Sequence, residues 1–203
     1  SYQTIGDDLY PYPDPSHGTV IYAAGQYFSV ANEEDLGEVA ATIQTFEEED
    51  LEGTIATQEL LDEYKALLDA LIDAKTILEF ADAIDAVNEK KAEVEKNAAI
   101  YQAYIDKCED VKDKLANDDS FEGSLRESLE YYLSENDEPS DENPLGTYEY
   151  IKETHTATAE EIKAETERVT KWLADAIAED YKAGTDVSGL IPNSDFSEGH
   201  NTK

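Results

Sequence analysis

Residues 158–184 read TAEEIKAETERVTKWLADAIAEDYKAG, and this stretch predicts the fold class of the chain. Mostly apolar side chains recur at every third or fourth position, which places them on one face of an α-helix. That face consists of Ile162, Thr166, Val169, Trp172, Leu173, Ile177 and Tyr181. Thr158 and Glu161 have the spacing of a capping box, and Gly184 is predicted to end the helix. A helix with one apolar stripe needs other helices to bury it.

The region before this helix supplies such partners. Residues 57–75 and 76–117 carry the same periodicity, and Lys91 is the one polar intruder in the second stripe. A helix of roughly 40 residues would be about 60 Å long, so we expect a kink or break within it. A capping-box pattern begins a further helix at Ser124, and a brief helix is predicted at residues 147–153. The sequence therefore predicts a mainly α protein, an antiparallel bundle of four to five helices.

The N-terminal region has a different character. Residues 1–18 are rich in tyrosine, proline and aspartate, which predicts an extended lead-in. Three runs with strand character follow, at residues 19–24, 26–30 and 39–46. They predict a small N-terminal antiparallel β element beside the bundle.

These patterns divide the chain into three parts. We predict an extended or β region at residues 1–52, the helical bundle at 53–184, and a linker with the start of a following domain at 185–203. The last part lacks a helical period and carries small apolar residues, a proline and an Asp-Phe pair, which suit an entry strand. The chain is therefore expected to be an excerpt of a modular protein.

The charge balance narrows the function. The 203 residues include 15 Lys+Arg and 49 Asp+Glu, which gives a formal net charge of −34. Nucleic acid binding needs clustered basic side chains, and the same electrostatics disfavour anionic membrane surfaces. No stretch approaches the roughly 18 apolar residues of a membrane span. The acidity is typical of a surface that keeps a protein soluble.

Sequence motifs of catalysis are missing from the chain. It contains no glycine-rich phosphate loop, nucleophile elbow, zinc-protease helix or CxxC pair. Cys108 lies in register with apolar helix positions, which predicts a buried and inert thiol. We therefore predict a protein that is not an enzyme, with no catalytic residue and no bound cofactor.

One candidate ligand site is a loop at residues 136–143. Asp137, Asp141 and Asn143 offer the hard oxygen ligands that calcium prefers, although the ligand spacing of an EF-hand is missing. The alternative interpretation is a solvated acidic loop.

A second candidate is a group of aromatic side chains, Tyr131, Tyr150 and Trp172. If their rings are exposed and coplanar, they can stack on sugar rings. The alternative is core packing, because Trp172 lies near a helix stripe.

Several runs also resemble a known class of protein segment. They are TQELLDEYKALLDAL, KKAEVE, YQAYIDK, DEP, GTYEYI, TAEEIKAETERVTKWLADAI and GTDVSGLIPNSDFSEG. Together they resemble helical segments of large secreted or surface-anchored proteins of gut Bacteroides- and Prevotella-type bacteria. The run at residues 156–177 is also similar to the second half of FIVAR-type three-helix modules. The run LIPNSDFSEG is similar to the first strand of galactose-binding-like jelly rolls.

The resemblance implies a function and a location. We expect a non-catalytic structural or interaction module, a spacer or scaffold, in an extracellular bacterial surface protein. Its partners would be neighbouring domains of the same chain, a glycan or another surface protein. The alternative is a carbohydrate-binding module, or an accessory region of a polysaccharide-processing protein.

Overall fold

The computed structural model describes residues 2–5, 8–11 and 19–186. Within these ranges the chain is mainly helical and forms six helices and two β-hairpins. The strands are β1 (Tyr2–Ile5), β2 (Asp8–Pro11), β3 (Thr19–Ala23) and β4 (Gln26–Val30). The helices are α1 (Glu33–Leu51), α2 (Gln58–Leu71), α3 (Ile77–Asn117), α4 (Ser124–Ser134), α5 (Tyr148–Thr154) and α6 (Ala159–Asp186).

The chain forms two compact units, unit 1 (Ser1–Ala99) and unit 2 (Ile100–Lys203). The division falls within α3. The predicted boundary at residue 52 lies inside unit 1, between α1 and α2. Of the predicted linker, residues 187–203 lie outside the described residues.

The β3–β4 hairpin confirms the first two of the three predicted strand runs. Its strands pair antiparallel, with Ile21 opposite Phe28 and Ala23 opposite Gln26. The two-residue turn places both Ala24 and Gly25 at positive φ, 52° and 75°, as a tight hairpin requires. The hairpin buries one face in a cluster with residues of α1, α2 and α3.

The third predicted strand, residues 39–46, is wrong, because this segment is the middle of α1. Asn32 caps the helix by accepting a hydrogen bond from the Asp35 backbone N–H at 3.0 Å. The buried residues of α1 then follow helical spacing: Leu36, Val39, Ala40, Ile43 and Glu47. β-Branched residues gave the segment its strand character, whereas the spacing of its buried positions is helical. Because α1 was not predicted, the described residues contain six helices instead of the predicted four to five.

Helix α3 runs for 41 residues without the expected break. Within each unit, its most deeply buried seam repeats every seventh residue, a spacing that places these side chains near one face of the helix. The seam is Phe80, Val87, Val94, Tyr101, Cys108 and Leu115, none more than 6% exposed. The predicted burial of Cys108 is therefore confirmed. None of the helices in the described residues is both long and apolar enough to cross a membrane.

Helix α4 begins differently from the prediction. Its N-cap is Gly123, so the expected capping box of Ser124 and Glu127 does not form. Side chains of α6 take this role instead. Glu179 accepts from the Leu125 N–H at 2.9 Å, and Asp180 accepts from the Glu122 N–H at 3.0 Å. Negative side chains at a helix N-terminus satisfy unpaired N–H groups and suit the helix dipole.

The boundaries of α6 match the prediction at one end only. The capping box is confirmed, since the Thr158 N–H donates to Glu161 at 2.9 Å and the Glu161 N–H donates to Thr158 at 3.2 Å. Gly184 does not end the helix, which continues to Asp186. Glycine weakens a helix interior by only about 1 kcal/mol, so the helix can continue through Gly184.

Candidate functional site

A chain of buried polar side chains crosses the helical packing of unit 2. The Tyr104 and Tyr132 hydroxyl oxygens lie 2.6 Å apart, and the Tyr132 hydroxyl donates to Glu165 Oε2 at 2.6 Å. Arg168 Nη1 also donates to Glu165 Oε2, at 2.9 Å. Glu165 is only 5% exposed, so its charge is compensated by a phenol and a guanidinium rather than by water. We call these four residues the Tyr132 cluster.

The protonation states of the cluster suit hydrogen bonding. Burial raises the pKa of both Tyr104 and Tyr132 far above the ordinary value for tyrosine, and the nearby carboxylate of Glu165 adds to the shift. Burial also raises the pKa of the neighbouring Cys108 thiol to about 12. At neutral pH the two phenols and the thiol are therefore protonated, and none of them is an activated nucleophile.

Arg168 connects the cluster to the acidic loop. Its Nη2 donates to the Glu142 carbonyl and to Asn143 Oδ1, both at 2.8 Å. Its guanidinium also lies 4.6 Å from the ring centroid of Trp172, close enough for a cation–π contact. One arginine thus fixes the position of the loop by hydrogen bonds and packs on an aromatic side chain.

The three calcium candidates differ in their partners and in their exposure. The side-chain oxygen of Asn143 accepts from Arg168, Asp137 accepts a hydrogen bond from the Tyr131 hydroxyl, and Asp141 is exposed. In the part of the chain that the structure describes, no group of three or more His, Cys, Asp or Glu side chains could hold a metal ion. Arg168 already supplies positive charge at this loop. The calcium site stays a prediction.

The three aromatic candidates have different surroundings. Trp172 is half-buried, its indole N–H donates to the Leu125 carbonyl at 3.1 Å, and its ring centroid lies 5.3 Å from that of Tyr132. Tyr131 is 50% exposed, and its hydroxyl is bonded to Asp137. Burial of Trp172 against Tyr132 is the core-packing alternative considered above.

Tyr150 is the aromatic candidate that lines a depression. The depression has a volume of about 200 Å³ and lies between the acidic loop, α5 and the start of α6. We call it the Tyr150 depression; it is bordered by Pro139, Pro144, Leu145, Tyr150, Thr156 and Glu161. Gly146 lies against the Tyr150 ring, since a Cβ atom there would be 2.6 Å from Tyr150 Cδ1.

Unit 1 contains a second buried polar group. Glu47 is 5% exposed and accepts hydrogen bonds from the Tyr64 hydroxyl and from Lys91 Nζ, both at 2.6 Å. Lys91 also bonds Asp50 at 3.0 Å. These residues, the Lys91 cluster, join α1, α2 and α3. Lys91 interrupts the apolar stripe of its helix because it lies opposite a buried carboxylate.

The Lys91 cluster borders two depressions of unit 1, of about 320 and 460 Å³. Burial opposes the positive charge of Lys91, but hydrogen bonds to Glu47 and Asp50 outweigh it and raise the lysine pKa above its ordinary value. Burial, together with the hydrogen bond to Glu47, also raises the pKa of Tyr64. Nucleophilic lysines need a lowered pKa, so the arrangement favours an ion pair rather than covalent chemistry.

The two buried carboxylates could not be distinguished from the other acidic residues in the sequence. Glu47 belongs to an acidic run of a kind that is usually exposed to solvent, and Glu165 is one of 49 acidic residues. The arginines could have indicated where buried polar contacts lie, because the chain has only two, Arg126 and Arg168. Both donate to backbone carbonyls inside unit 2.

Comparison of the chain with protein-family models, curated proteins and solved structures finds no match. The resemblance to helical spacer segments therefore stays a prediction, as do the function and location that it implies.

Proposed function

We propose that the chain is a non-catalytic structural module, a spacer or scaffold, of an extracellular bacterial surface protein. One observation carries the proposal: the two deeply buried carboxylates, Glu47 and Glu165, each bond a phenol and a basic side chain of the same unit. Side chains satisfied in this way specify which helix surfaces pack together. The two carboxylates bond other side chains of the fold instead of pointing toward a substrate.

A catalytic site holds its polar groups in a cleft, with protonation states that differ from the ordinary ones. Such groups often lower the stability of the protein, so that their substitution raises the free energy of unfolding. In the Tyr132 cluster both phenols and the neighbouring thiol stay protonated at neutral pH because of burial. In the Lys91 cluster the lysine stays charged. Both arrangements support a structural role.

The experiment that separates these roles is substitution of the two buried carboxylates. In urea unfolding of the whole chain, Glu47→Gln and Glu165→Gln should each lower the free energy of unfolding by about 1–3 kcal/mol, because each removes a charge-assisted hydrogen bond inside the fold. Circular dichroism follows both units, and Trp172, the chain's only tryptophan, reports on unit 2 by fluorescence.

Matched controls exist on the same helices. Glu49 and Glu167 lie two residues from Glu47 and Glu165 and are exposed. Glu49→Gln and Glu167→Gln should change the unfolding free energy by less than about 0.5 kcal/mol. Unchanged or increased stability in Glu47→Gln and Glu165→Gln would contradict the structural role and favour a site for ligand or chemistry.

The surface location is proposed from the sequence resemblance, and the acidity of the chain is compatible with it. Antibodies raised against the purified chain should label intact cells of the source bacterium, and external protease should remove that label. Labelling only after cell lysis would contradict the proposed location.

A second candidate function is carbohydrate binding, and the observation that favours it is the Tyr150 depression. A tyrosine ring beside prolines and hydroxyl groups combines the apolar and polar contacts that a sugar needs. A structural module can carry such a depression, so the two candidates are compatible.

A further inference from the structure

The Tyr150 depression offers polar atoms that the fold does not use. Glu161 accepts the Thr158 N–H with Oε1, which leaves Oε2 for another donor. Among the residues that the structure describes, neither the Tyr150 phenol nor the Thr156 hydroxyl makes a hydrogen bond with another protein group. Two hydroxyls and a carboxylate oxygen therefore border one small depression.

The rest of the lining is apolar and constrained. Ile151 and Ala157 are buried beneath the depression, and Pro139 and Pro144 border it from the acidic loop. Arg168 anchors that loop through Glu142 and Asn143, and Gly146 packs against the Tyr150 ring. The apolar lining is held in place by the same contacts that fix the loop.

The size of the depression limits what it can bind. Sites for drug-sized ligands and cofactors have volumes of about 300–1,000 Å³. The Tyr150 depression, at about 200 Å³, is smaller and matches a single ring or a single side chain.

Charge and polarity select among ligands of that size. The chain carries a net charge of −34, and the loop beside the depression carries exposed acidic residues, among them Glu138, Asp141 and Glu142. An anionic ligand would be repelled. A long aliphatic side chain would leave the free hydroxyls and carboxylate oxygen without partners, which is costly once they are desolvated. A neutral ring with one apolar face and several hydroxyl groups satisfies both parts of the lining.

We propose that the Tyr150 depression binds one neutral pyranose ring, such as the terminal sugar of a glycan. The C–H face of the sugar packs against the Tyr150 ring and the prolines. Its hydroxyl groups pair with Thr156, Glu161 and the Tyr150 phenol. This inference deepens the second candidate function and does not depend on the structural role of the two buried clusters.

The test is an NMR titration of the whole ¹⁵N-labelled chain with a panel of neutral methyl glycosides. Glucuronate and galacturonate serve as anionic probes, and a lysine-rich peptide as a cationic one. At least one neutral glycoside should give saturable shift changes in the amides of residues 139–161. Both uronates should bind at least about tenfold more weakly because the acidic surroundings repel anions. The peptide should also bind more weakly, because its aliphatic side chains leave the hydroxyls of the depression without partners.

Variants tie the signal to the depression. Tyr150→Ala should weaken binding by about tenfold or more, since it removes the aromatic anchor. Glu161→Gln keeps a capping oxygen for the Thr158 N–H but loses the charge, and should weaken binding severalfold. Tyr181→Ala, the matched control, removes a 70% exposed tyrosine elsewhere on α6 and should leave binding unchanged.

Three results would overturn the proposal. They are the lack of saturable binding by every neutral glycoside, affinity that Tyr150→Ala leaves unchanged in a folded variant, and preferential binding of the uronates or the peptide. Trp172 fluorescence checks that each variant is folded. These readouts are distinct from the unfolding free energies that test the structural role, so the two proposals can fail separately.

Discussion

The Tyr132 hydroxyl donates a hydrogen bond to Glu165 Oε2 across 2.6 Å, and both side chains are buried. Tyr132 lies on α4 and Glu165 on α6, so this one bond joins the two helices. The pair gives α4 and α6 a specific register, which apolar contacts alone would fix less strictly.

The first prediction concerns two leucines that lie on the helix stripes. Leu68 is fully buried, whereas Leu173 is only half-buried. Leu68→Ala should therefore lower the unfolding free energy by about 2–5 kcal/mol, and Leu173→Ala by clearly less, because a partly exposed site leaves a smaller cavity. Thermal unfolding of both variants checks this order. Equal losses would show that the packing around α6 differs from the structure.

The second prediction concerns two glycines in opposite environments. Gly123 has φ 142°, and a Cβ there would lie 2.3 Å from Glu179 Oε1, the side chain that caps α4. Gly123→Ala should cost about 1–3 kcal/mol through backbone strain and displacement of that cap.

Gly37 is the matched control. It lies inside α1, and a Cβ there meets no atom within 4 Å. Gly37→Ala should stabilise the chain by about 0.4–1 kcal/mol, because alanine loses less backbone entropy on folding. Urea unfolding should give opposite signs for the two variants. Stabilisation by Gly123→Ala would contradict the described start of α4.

The third prediction concerns Arg126. This buried arginine donates to three carbonyls near the end of α3, those of Leu115, Asp118 and Phe121, at 2.6–2.8 Å. Lysine keeps the positive charge but cannot reproduce the planar arrangement of donors. Arg126→Lys should therefore lower the free energy of unfolding by about 1–3 kcal/mol. Hydrogen exchange should then quicken at residues 115–121. Unchanged exchange there would contradict the capping role of Arg126.

The fourth prediction concerns alkaline pH. The folded-state pKa values of Tyr64, Tyr104, Tyr132 and Tyr148 are raised, with burial as the largest cause in each case. Unfolded tyrosines ionise near pH 10, so above that pH the unfolded state binds fewer protons than the folded state. Their stabilising contribution is thus fully present below pH ~10 and is lost as pH rises further.

Urea midpoints measured between neutral pH and pH ~11 should therefore fall at the alkaline end. Phenolate absorbance should show the buried tyrosines ionising only as the chain unfolds. Tyr132→Phe removes one of these groups and should make the alkaline fall less steep. A midpoint that does not change across this range would contradict the burial of the four phenols.

The sequence allowed the helices with strong periodicity to be predicted. The stripes of α2, α3 and α6 repeat at three and four positions, and the ends of α2 and α3 lie within a few residues of their predicted places. Helix α1 was missed because its β-branched residues, such as Val39 and Ile43, resemble a strand locally. Its helical state depends on burial against β4 and α2, which short-range patterns do not contain.

The polar clusters could not be predicted because their members are distant in sequence. Glu47 and Lys91 are 44 residues apart, and Tyr132 and Glu165 are 33 apart. In a chain with 49 acidic residues, nothing local distinguishes a buried carboxylate from a solvated one. The same holds for α4, whose N-terminus is capped by Glu179 from a remote helix rather than by its own residues.

The most direct test of the structural role is a double-mutant cycle on Tyr132 and Glu165. The free energies of unfolding of the wild type, Tyr132→Phe, Glu165→Gln and the double variant give the coupling between the two side chains. We expect each single variant to be destabilised and the coupling to be about 1–3 kcal/mol, since either change removes the charge-assisted hydrogen bond between the phenol and the carboxylate. A coupling near zero, or single variants more stable than the wild type, would contradict the claim that this buried pair holds the helices together.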